Sequence, residues 1–354
     1  MEFISNYGLF LAKVATFVVA AIILATLVLT AGQRGRDDHE DEGELKIRKL
    51  NDQYRKLKES IQAKLMSDDE YKAWAKRKKK EEKAEKKAAK SAKANTDDTE
   101  DSKKRIYVID FDGDIKASDT DTLRRAVTAV LSVANPEKDE VVIRLESGGG
   151  LVHAYGLASA QLDRIRSKGV PLTACVDKVA ASGGYMMACV ADKIVASPFA
   201  VLGSIGVVAQ LPNFHRLLKK NDVDFEVLTA GEYKRTLTVF GENTEKGRKK
   251  FLEDLEDTHV LFKDYVSQRR PGLDIQAVAT GDIWFGQRAL EVNLIDEIKT
   301  SDEYLIEACE RGEVVSVSFQ HKRTLAEKIG IATSTALERS VWKVLSAFRN
   351  QKIQ

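Results

Sequence analysis

One serine lies where a nucleophile could be activated. Ser182 stands in the segment AASGG (residues 180–184, the 180–184 turn), after a predicted strand and at the start of a predicted helix. A serine at such a position can cap the helix by accepting a backbone hydrogen bond. It can also attack a carbonyl group, because the positive end of the helix dipole then lies beside the developing negative charge. The local sequence is compatible with both roles.

A second glycine-rich turn follows another predicted strand. It reads ESGGG over residues 146–150 (the 146–150 turn), and glycines allow close approach of backbone N–H groups to a ligand. Two such turns at neighbouring strand ends could form an oxyanion hole for a carbonyl oxygen. Phosphate is the competing ligand, but G-x-x-x-x-G-K-[ST] is absent, and so is G-x-G-x-x-G at the first strand. Ser147 in this turn is a second candidate nucleophile.

A serine hydroxyl is a weak nucleophile and needs a base. The chain has five histidines, and His153, near the 146–150 turn, could complete a Ser-His-Asp triad. A lysine can replace histidine only when its amine is neutral, and desolvation is one way to remove the proton. Lys234 has charged neighbours, Glu232 and Arg235, which do not predict its burial. The residues alone therefore leave the choice of base open.

Alternating strands and helices after Lys104 are expected to position these residues. Short β-branched and aromatic runs predict strands, and apolar residues at helical spacing predict helices. Their alternation predicts an α/β domain with a largely parallel sheet, in which sites form at the carboxyl ends of strands. Strands are predicted at 105–111, 141–145, 170–176, 193–196, 201–208 and 224–228, and helices at 120–133, 153–167, 183–191 and 244–270.

The chain before this domain divides into an apolar segment and a charged connector. Residues 14–30 contain no charge, and with their flanks they can cross a hydrocarbon core of about 30 Å as a helix. We interpret residues 1–33 as a transmembrane anchor rather than a signal peptide, because the apolar run is long and its start poorly basic. Residues 34–103 form a charged helical or disordered connector, whose lysine-rich part (72–93) could contact anionic lipid headgroups.

Charge does not settle the side of the membrane. Basic residues after the apolar segment favour a cytoplasmic domain, whereas long domains can cross the membrane regardless of charge.

The net charge of +2 gives no reason to expect a nucleic acid partner. The three cysteines have no metal-binding spacing and are expected to be free thiols, two of them in buried runs. Residues 104–320 are predicted to form the domain that carries the candidate site residues, and residues 321–354 are predicted to form an amphipathic helical tail.

Three motifs of the domain resemble peptidase family S49, the signal peptide peptidase A family. They are ASGGY (181–185), GSIGV (203–207) and Tyr233-Lys234, and Lys234 follows Ser182 by 52 residues, as in single-domain members. The resemblance covers residues 104–318. It implies a ClpP/crotonase-like fold and a Ser-Lys dyad that cleaves peptides or unfolded segments through an acyl-enzyme, without a metal or organic cofactor.

Carried over residue by residue, the resemblance assigns a role to five positions. Ser182 is the nucleophile, Lys234 the base, Gly149 and Gly183 the oxyanion-hole donors, and Ser204 the residue that orients Lys234. The family usually has N-x-P-G-G at the first glycine-rich turn, whereas this chain has ESGGG. The resemblance also implies a homo-oligomer at the bacterial inner membrane, with its catalytic domain in the periplasm.

Two other functions are compatible with the residues. A crotonase-type acyl-CoA enzyme would use paired glycine amides with a carboxylate, and a non-catalytic membrane scaffold would use neither. In both cases Ser182 and Lys234 would be dispensable, so these two residues distinguish a peptidase from the alternatives.

Overall fold

The computed structural model describes residue 16 and residues 43–93 and 104–321. The chain divides into two compact units, and one of them, Leu45–Phe319, contains nearly all of these residues. No helix within the described residues combines the length and the apolar character needed to cross a bilayer. The predicted anchor, apart from Thr16, and the predicted tail beyond residue 321 lie outside the described residues.

The described residues form alternating strands and helices. The strands are β1 (Gly43–Lys49), β2 (Arg105–Gly113), β3 (Glu140–Ser147), β4 (Leu172–Val176), β5 (Val179–Ala181), β6 (Lys193–Ala196), β7 (Val201–Gly203), β8 (Ile283–Phe285), β9 (Glu297–Ile298) and β10 (Glu313–His321). The helices are α1 (Leu50–Leu65), α2 (Asp68–Lys93), α3 (Thr120–Leu131), α4 (Val152–Ser167), α5 (Gly183–Ala188), α6 (His215–Lys220), α7 (Glu245–Arg269), α8 (Ile275–Val278), α9 (Gly286–Glu291) and α10 (Ser301–Arg311).

Parallel pairing joins most of the strands into one sheet. Its main path is β1-β10-β2-β3-β4-β6-β9, and the pairs from β10 to β9 are parallel. Strand β5 leaves this path, because it pairs in parallel with the end of β3 and with β7, while β8 runs antiparallel to β7. The predicted α/β domain with a largely parallel sheet is confirmed. The branch places the end of β5, which precedes Ser182, beside the end of β3.

Apolar cores cover both faces of this sheet. Alternate residues of a strand point to opposite faces. In β3, Val141 and Ile143 join the larger core with α3 and α4, whereas Val142 joins a smaller core with Leu50 of α1 and Leu305 of α10. Burial on both faces explains why the strands read as continuous apolar runs. It also shows that Leu50, within the predicted connector, packs on the domain.

Three segments differ from the predicted elements. Residues 43–49 form a strand within the predicted connector, because they lie beside β10 at the sheet edge. The predicted strand 201–208 ends at Gly203, since Gly203 and Ser204 adopt positive φ angles of 81° and 50° that end regular pairing. The strand predicted at 224–228 is wrong, because this exposed segment has irregular structure and no pairing partner among the described residues.

A buried carboxylate at the start of β3 links the sheet to α10. Glu140 is 5% exposed, accepts a hydrogen bond from Tyr304 Oη at 2.5 Å, and pairs with Lys104 at 3.1 Å and Arg311 at 3.2 Å. Burial by itself raises the pKa of the Glu140 carboxyl. The hydrogen bonds and the two cations outweigh burial and hold this pKa below its ordinary value.

We expect Glu140→Gln to lower the free energy of unfolding at neutral pH by about 2 kcal/mol, because it removes a buried charge from its partners. A carboxyl with a depressed pKa stabilises the fold above its unfolded pKa, and this stabilisation disappears as the pH falls through the folded pKa. The difference from wild type should therefore be full at pH 7 and begin to shrink near about pH 4. Urea unfolding over this pH range measures it, and a difference independent of pH would contradict the assignment.

Candidate active site

Ser182 occupies a strained turn between β5 and α5. Its backbone has φ 52° and ψ −118°, a combination that residues with a side chain rarely adopt. The Ser182 N–H donates to the Gly203 carbonyl at 2.8 Å, and the Ser182 carbonyl accepts from the Met186 N–H at 2.9 Å. A half-buried serine on a strained strand-to-helix turn is the arrangement in which nucleophile elbows present a hydroxyl group to substrate.

The strain at Ser182 predicts a difference between two substitutions that both remove the hydroxyl. Glycine adopts a positive φ angle without the steric cost that a Cβ atom imposes. We expect Ser182→Gly to be more stable toward unfolding than Ser182→Ala by about 1 kcal/mol, because local strain of this kind costs on the order of 1–3 kcal/mol. Denaturant unfolding of the two variants side by side measures the difference. Equal stabilities would show that the turn stores no strain.

The two glycine-rich turns are packed backbone against backbone. A Cβ atom on Gly149 (φ 86°) would lie 2.6 Å from Gly183 N and 2.8 Å from Ser182 Cβ. A Cβ atom on Gly184 would lie 2.4 Å from the carbonyl oxygen of Ser147. Side chains at these positions would force the turns apart. The structure thus brings together Ser182, Gly183 and Gly149, three of the five residues that the sequence analysis assigned to the site.

The amides of the 146–150 turn differ in their hydrogen bonding. The N–H group of Gly149 donates to Ser147 Oγ at 3.1 Å. The N–H group of Gly150 donates to no acceptor in the described part of the chain. Gly150 also lines the same cavity as Ser182 and Gly183. An amide without an internal acceptor beside a nucleophile is available to a substrate oxygen.

An apolar cavity of about 240 Å³ opens beside Ser182. It lies between α5, the loop after β7, and α7. Its apolar lining includes Met186, Val207, Val208, Leu261 and Phe262. The cavity can hold an apolar side chain next to a carbonyl group that Ser182 would attack.

Lys234 does not line this cavity. It lies in an exposed turn, where its backbone N–H donates to the Gly231 carbonyl at 3.2 Å. Ser204 directly follows Gly203, which accepts the hydrogen bond from Ser182, and the Ser204 N–H donates to the Asp282 backbone carbonyl at 2.7 Å. Within residues 43–93 and 104–321, no hydrogen bond joins the Lys234 side chain to Ser182 or Ser204. The described chain therefore leaves the predicted base apart from the predicted nucleophile.

Comparison with known proteins supplies the family. Residues 2–162 match the family model described as peptidase family S49 N-terminal, and residues 164–315 match peptidase family S49. A probable protease SohB of Haemophilus influenzae is 50% identical over 330 residues, which cover 93% of this chain and 92% of that protein. The chain belongs to peptidase family S49. The predicted resemblance to this family is confirmed, and the chain is a SohB-like peptidase.

Two further proteins are similar to this chain. A probable protease SohB of Buchnera aphidicola subsp. Schlechtendalia chinensis is 50% identical over 307 residues, covering 86% of this chain and 99% of that protein. Among solved structures, the 1510-N membrane-bound stomatin-specific protease covers 58% of this chain and 84% of its own, with 14% identity and a TM-score of 0.38.

The structure disfavours the other nucleophiles and bases of this S49 peptidase. Ser147 is only 2% exposed, and its Oγ lies 2.5 Å from Tyr155 Oη, so a substrate cannot reach it. His153 is exposed on α4 and does not line the cavity beside Ser182. Cys175 and Cys189 are free and buried, as predicted, and burial raises the pKa of both thiols to about 12. Neither thiol can form a thiolate nucleophile near neutral pH.

The sequence analysis missed one residue of the site, Tyr155. It lies eight residues after Ser147 in the first half of α4 and is fully buried. An aromatic residue at helical spacing usually packs in a core, and no local feature marks this one as different. Only its contacts with both glycine-rich turns show that it belongs to the site.

Proposed function

We propose that this S49 peptidase is a serine endopeptidase in which Ser182 attacks a peptide carbonyl and Lys234 is the general base. The observation that supports it most strongly is the strained Ser182 turn, packed against a second glycine-rich turn at an apolar cavity. Backbone strain is concentrated at functional sites, and the strained Ser182 lies at a cavity that a substrate side chain can enter.

The proposed reaction is acyl transfer in two steps. The Lys234 amine takes the proton of the Ser182 hydroxyl as Oγ bonds to the carbonyl carbon, and the carbonyl oxygen becomes an oxyanion. Lys234 then gives this proton to the leaving amine, and the peptide bond breaks. Water attacks the acyl-enzyme in the same way, with Lys234 accepting its proton and Ser182 regaining one. The chemistry requires no metal or organic cofactor.

Two backbone amides are proposed to bind the oxyanion. Gly183 supplies one, because its N–H group follows the nucleophile at the start of α5. The 146–150 turn supplies the other, from Gly149 or its neighbour Gly150. Of these two, the Gly149 N–H already donates to Ser147 Oγ, so the Gly150 N–H is the better placed to bind a substrate oxygen.

A homo-oligomer is proposed to complete the site. Lysine is a base only when its amine is neutral, and removal from water favours the neutral amine. Lys234 is exposed in the described chain. The surrounding segment exposes many large apolar side chains, which is typical of a protein–protein contact. They are Val208, Leu211, Phe214, Leu217, Val223, Phe225, Val227, Leu228, Tyr233 and Phe240. Assembly that covers this segment, and a ClpP/crotonase-like fold, are what family membership implies.

The N-terminal segments support a membrane location. We propose that residues 1–33 anchor the enzyme in the bacterial inner membrane and that the lysine-rich residues 72–93 lie near anionic headgroups. The catalytic domain would then lie on the periplasmic side, as the family resemblance implies. Substrates of such an enzyme are membrane-associated peptides or unfolded protein segments that place an apolar side chain in the cavity beside Ser182.

A labelling experiment on the full chain in detergent tests this function. A fluorophosphonate probe should modify one serine, and peptide mapping should locate the label on Ser182. A library of internally quenched peptides should be cleaved next to apolar residues, and the probe should stop this cleavage. Turnover of an acyl-CoA without labelling would favour the crotonase-type alternative, and the absence of both activities would favour a scaffold.

A further inference from the structure

Ser147 and Tyr155 form a buried hydroxyl pair beside the nucleophile turn. Ser147 is 2% exposed and Tyr155 is fully buried, and their hydroxyl oxygens lie 2.5 Å apart. Tyr155 Oη donates its hydrogen to the Asp114 carbonyl at 2.7 Å. A hydroxyl group has one hydrogen. With Tyr155 donating to Asp114, the Ser147 hydroxyl is left to donate within the pair, at a shorter distance than its 3.3 Å contact with the Gly113 carbonyl. Ser147 Oγ in turn accepts the Gly149 N–H at 3.1 Å, and the chain of hydrogen bonds ends in the 146–150 turn.

The Tyr155 ring contacts the other turn. A Cβ atom on Gly183 would lie 2.4 Å from Tyr155 Cγ, so the ring packs directly on the backbone that carries the first oxyanion donor. A Cβ atom on Gly113 would lie 2.5 Å from both hydroxyl oxygens of the pair. One side chain therefore touches the Gly183 backbone with its ring and holds the 146–150 turn through its hydroxyl.

The glycine content of the 146–150 turn explains why this turn needs an external contact to restrain it. Three successive glycines, Gly148 to Gly150, have the largest conformational freedom that a backbone can have. The family pattern places a proline at the position of Gly148, and a proline would restrict the turn by itself. An oxyanion hole accelerates a reaction only when its donors are fixed before the charge develops. In this chain the restriction must come from another source.

We propose that the Ser147–Tyr155 pair is a positioning device that holds the two oxyanion donors at a fixed separation, in place of the missing proline. The pair does not line the cavity. It acts through the backbone of Gly183, one donor, and of Gly149, which directly precedes Gly150, the other donor. This inference rests on the proposed function, because an oxyanion hole is needed only if Ser182 attacks a carbonyl group.

Removal of the Tyr155 hydroxyl tests the pair in the full-length enzyme. We expect Tyr155→Phe, which keeps the ring on Gly183, to lower kcat about tenfold, a fraction of the effect of deleting an oxyanion donor. KM should change less than about twofold, because the pair does not line the cavity. Ser147→Ala should behave alike, and the double variant should be no worse than either single variant, because one chain of hydrogen bonds is broken in all three.

Tyr304→Phe is the matched control. Its hydroxyl is also buried and also donates a 2.5 Å hydrogen bond, but to Glu140 at the opposite end of β3. The Tyr304→Phe substitution should lower the free energy of unfolding and leave kcat unchanged. If Tyr304→Phe lost as much kcat as Tyr155→Phe, Tyr155 would contribute only to the stability of the fold. If Tyr155→Phe kept its kcat, the proposal would be wrong.

Gly148→Pro provides a rescue that a purely structural role does not predict. The φ angle of Gly148 is not positive, and a Cβ atom there would meet no atom within 4 Å. Proline is the residue that the family pattern has at this position, and the space around Gly148 leaves room for a side chain. Added to Tyr155→Phe, it should recover kcat severalfold. If kcat does not recover in the double variant, the idea that the pair takes the place of a proline is wrong.

Two results separate this proposal from the proposed function. If wild-type cleavage depends on Ser182 but Tyr155→Phe has full activity, only the positioning role fails. If cleavage does not depend on Ser182, the proposed function fails. Amide hydrogen exchange over residues 148–150 then decides whether the pair restrains the turn. Faster exchange in Tyr155→Phe than in Tyr304→Phe supports the restraint, and equal exchange overturns it.

Discussion

Replacement of Ser182 by alanine is expected to lower kcat/KM for peptide cleavage by about 10³-fold or more, the scale on which a catalytic nucleophile is lost. Without Oγ no acyl-enzyme forms, although the cavity and the backbone amides still bind the substrate. KM should therefore change little compared with kcat. Initial rates on an internally quenched peptide, with enzyme purified away from host proteases, measure both constants.

Two other substitutions serve as comparisons for the loss of activity in Ser182→Ala. His153→Ala should keep near-normal turnover, because His153 is exposed and does not line the cavity. Ser147→Ala should lose only about tenfold, since Ser147 is proposed to position an oxyanion donor rather than to attack. A Ser147 variant as inactive as Ser182→Ala, or a Ser182 variant with near-normal activity, would reverse the assignment of the nucleophile.

Replacement of Lys234 is expected to lower kcat by about 10³-fold, a loss similar to that expected for Ser182→Ala. Lys234→Ala removes the base, and Lys234→Arg keeps a positive charge but supplies a group that stays protonated in proteins. Both variants should be equally inactive if the residue acts as a base. Lys246→Ala is the matched control, because Lys246 is a nearby exposed lysine paired with Glu232 at 2.6 Å. It should keep full activity.

The exposure of Lys234 suggests a second measurement on these variants. Ser182→Ala and Lys234→Ala are each inactive alone, and they can be mixed and reassembled from dissociated subunits. Recovered cleavage in the mixture would show that Ser182 and Lys234 of different subunits meet in one site. A mixture without activity, next to an active reassembled wild type, would place both residues of a site in one chain. An active Lys234→Arg enzyme would exclude the lysine as base in either arrangement.

Local patterns in the sequence determined the elements that carry Ser182. The alternation of apolar β-branched runs with helical spacing predicted β2, β3, β4 and β6 and the helices between them, because both signals arise within a few neighbouring residues. The start of α5 at Gly183 followed from the glycine-rich turn. Ser182 and Lys234 were predicted through the resemblance of their motifs to family S49, which requires no coordinates.

Tertiary structure decided which of these residues meet. The segment 224–228 has the composition of a strand but no neighbouring strand among the residues that the structure describes, and pairing is a property of the sheet rather than of the segment. The contact between Gly149 and Gly183 depends on the branch that places β5 beside the end of β3. The role proposed for Tyr155 depends on that contact as well. Separations of this kind are set by packing between elements distant in sequence, and no local pattern encodes them.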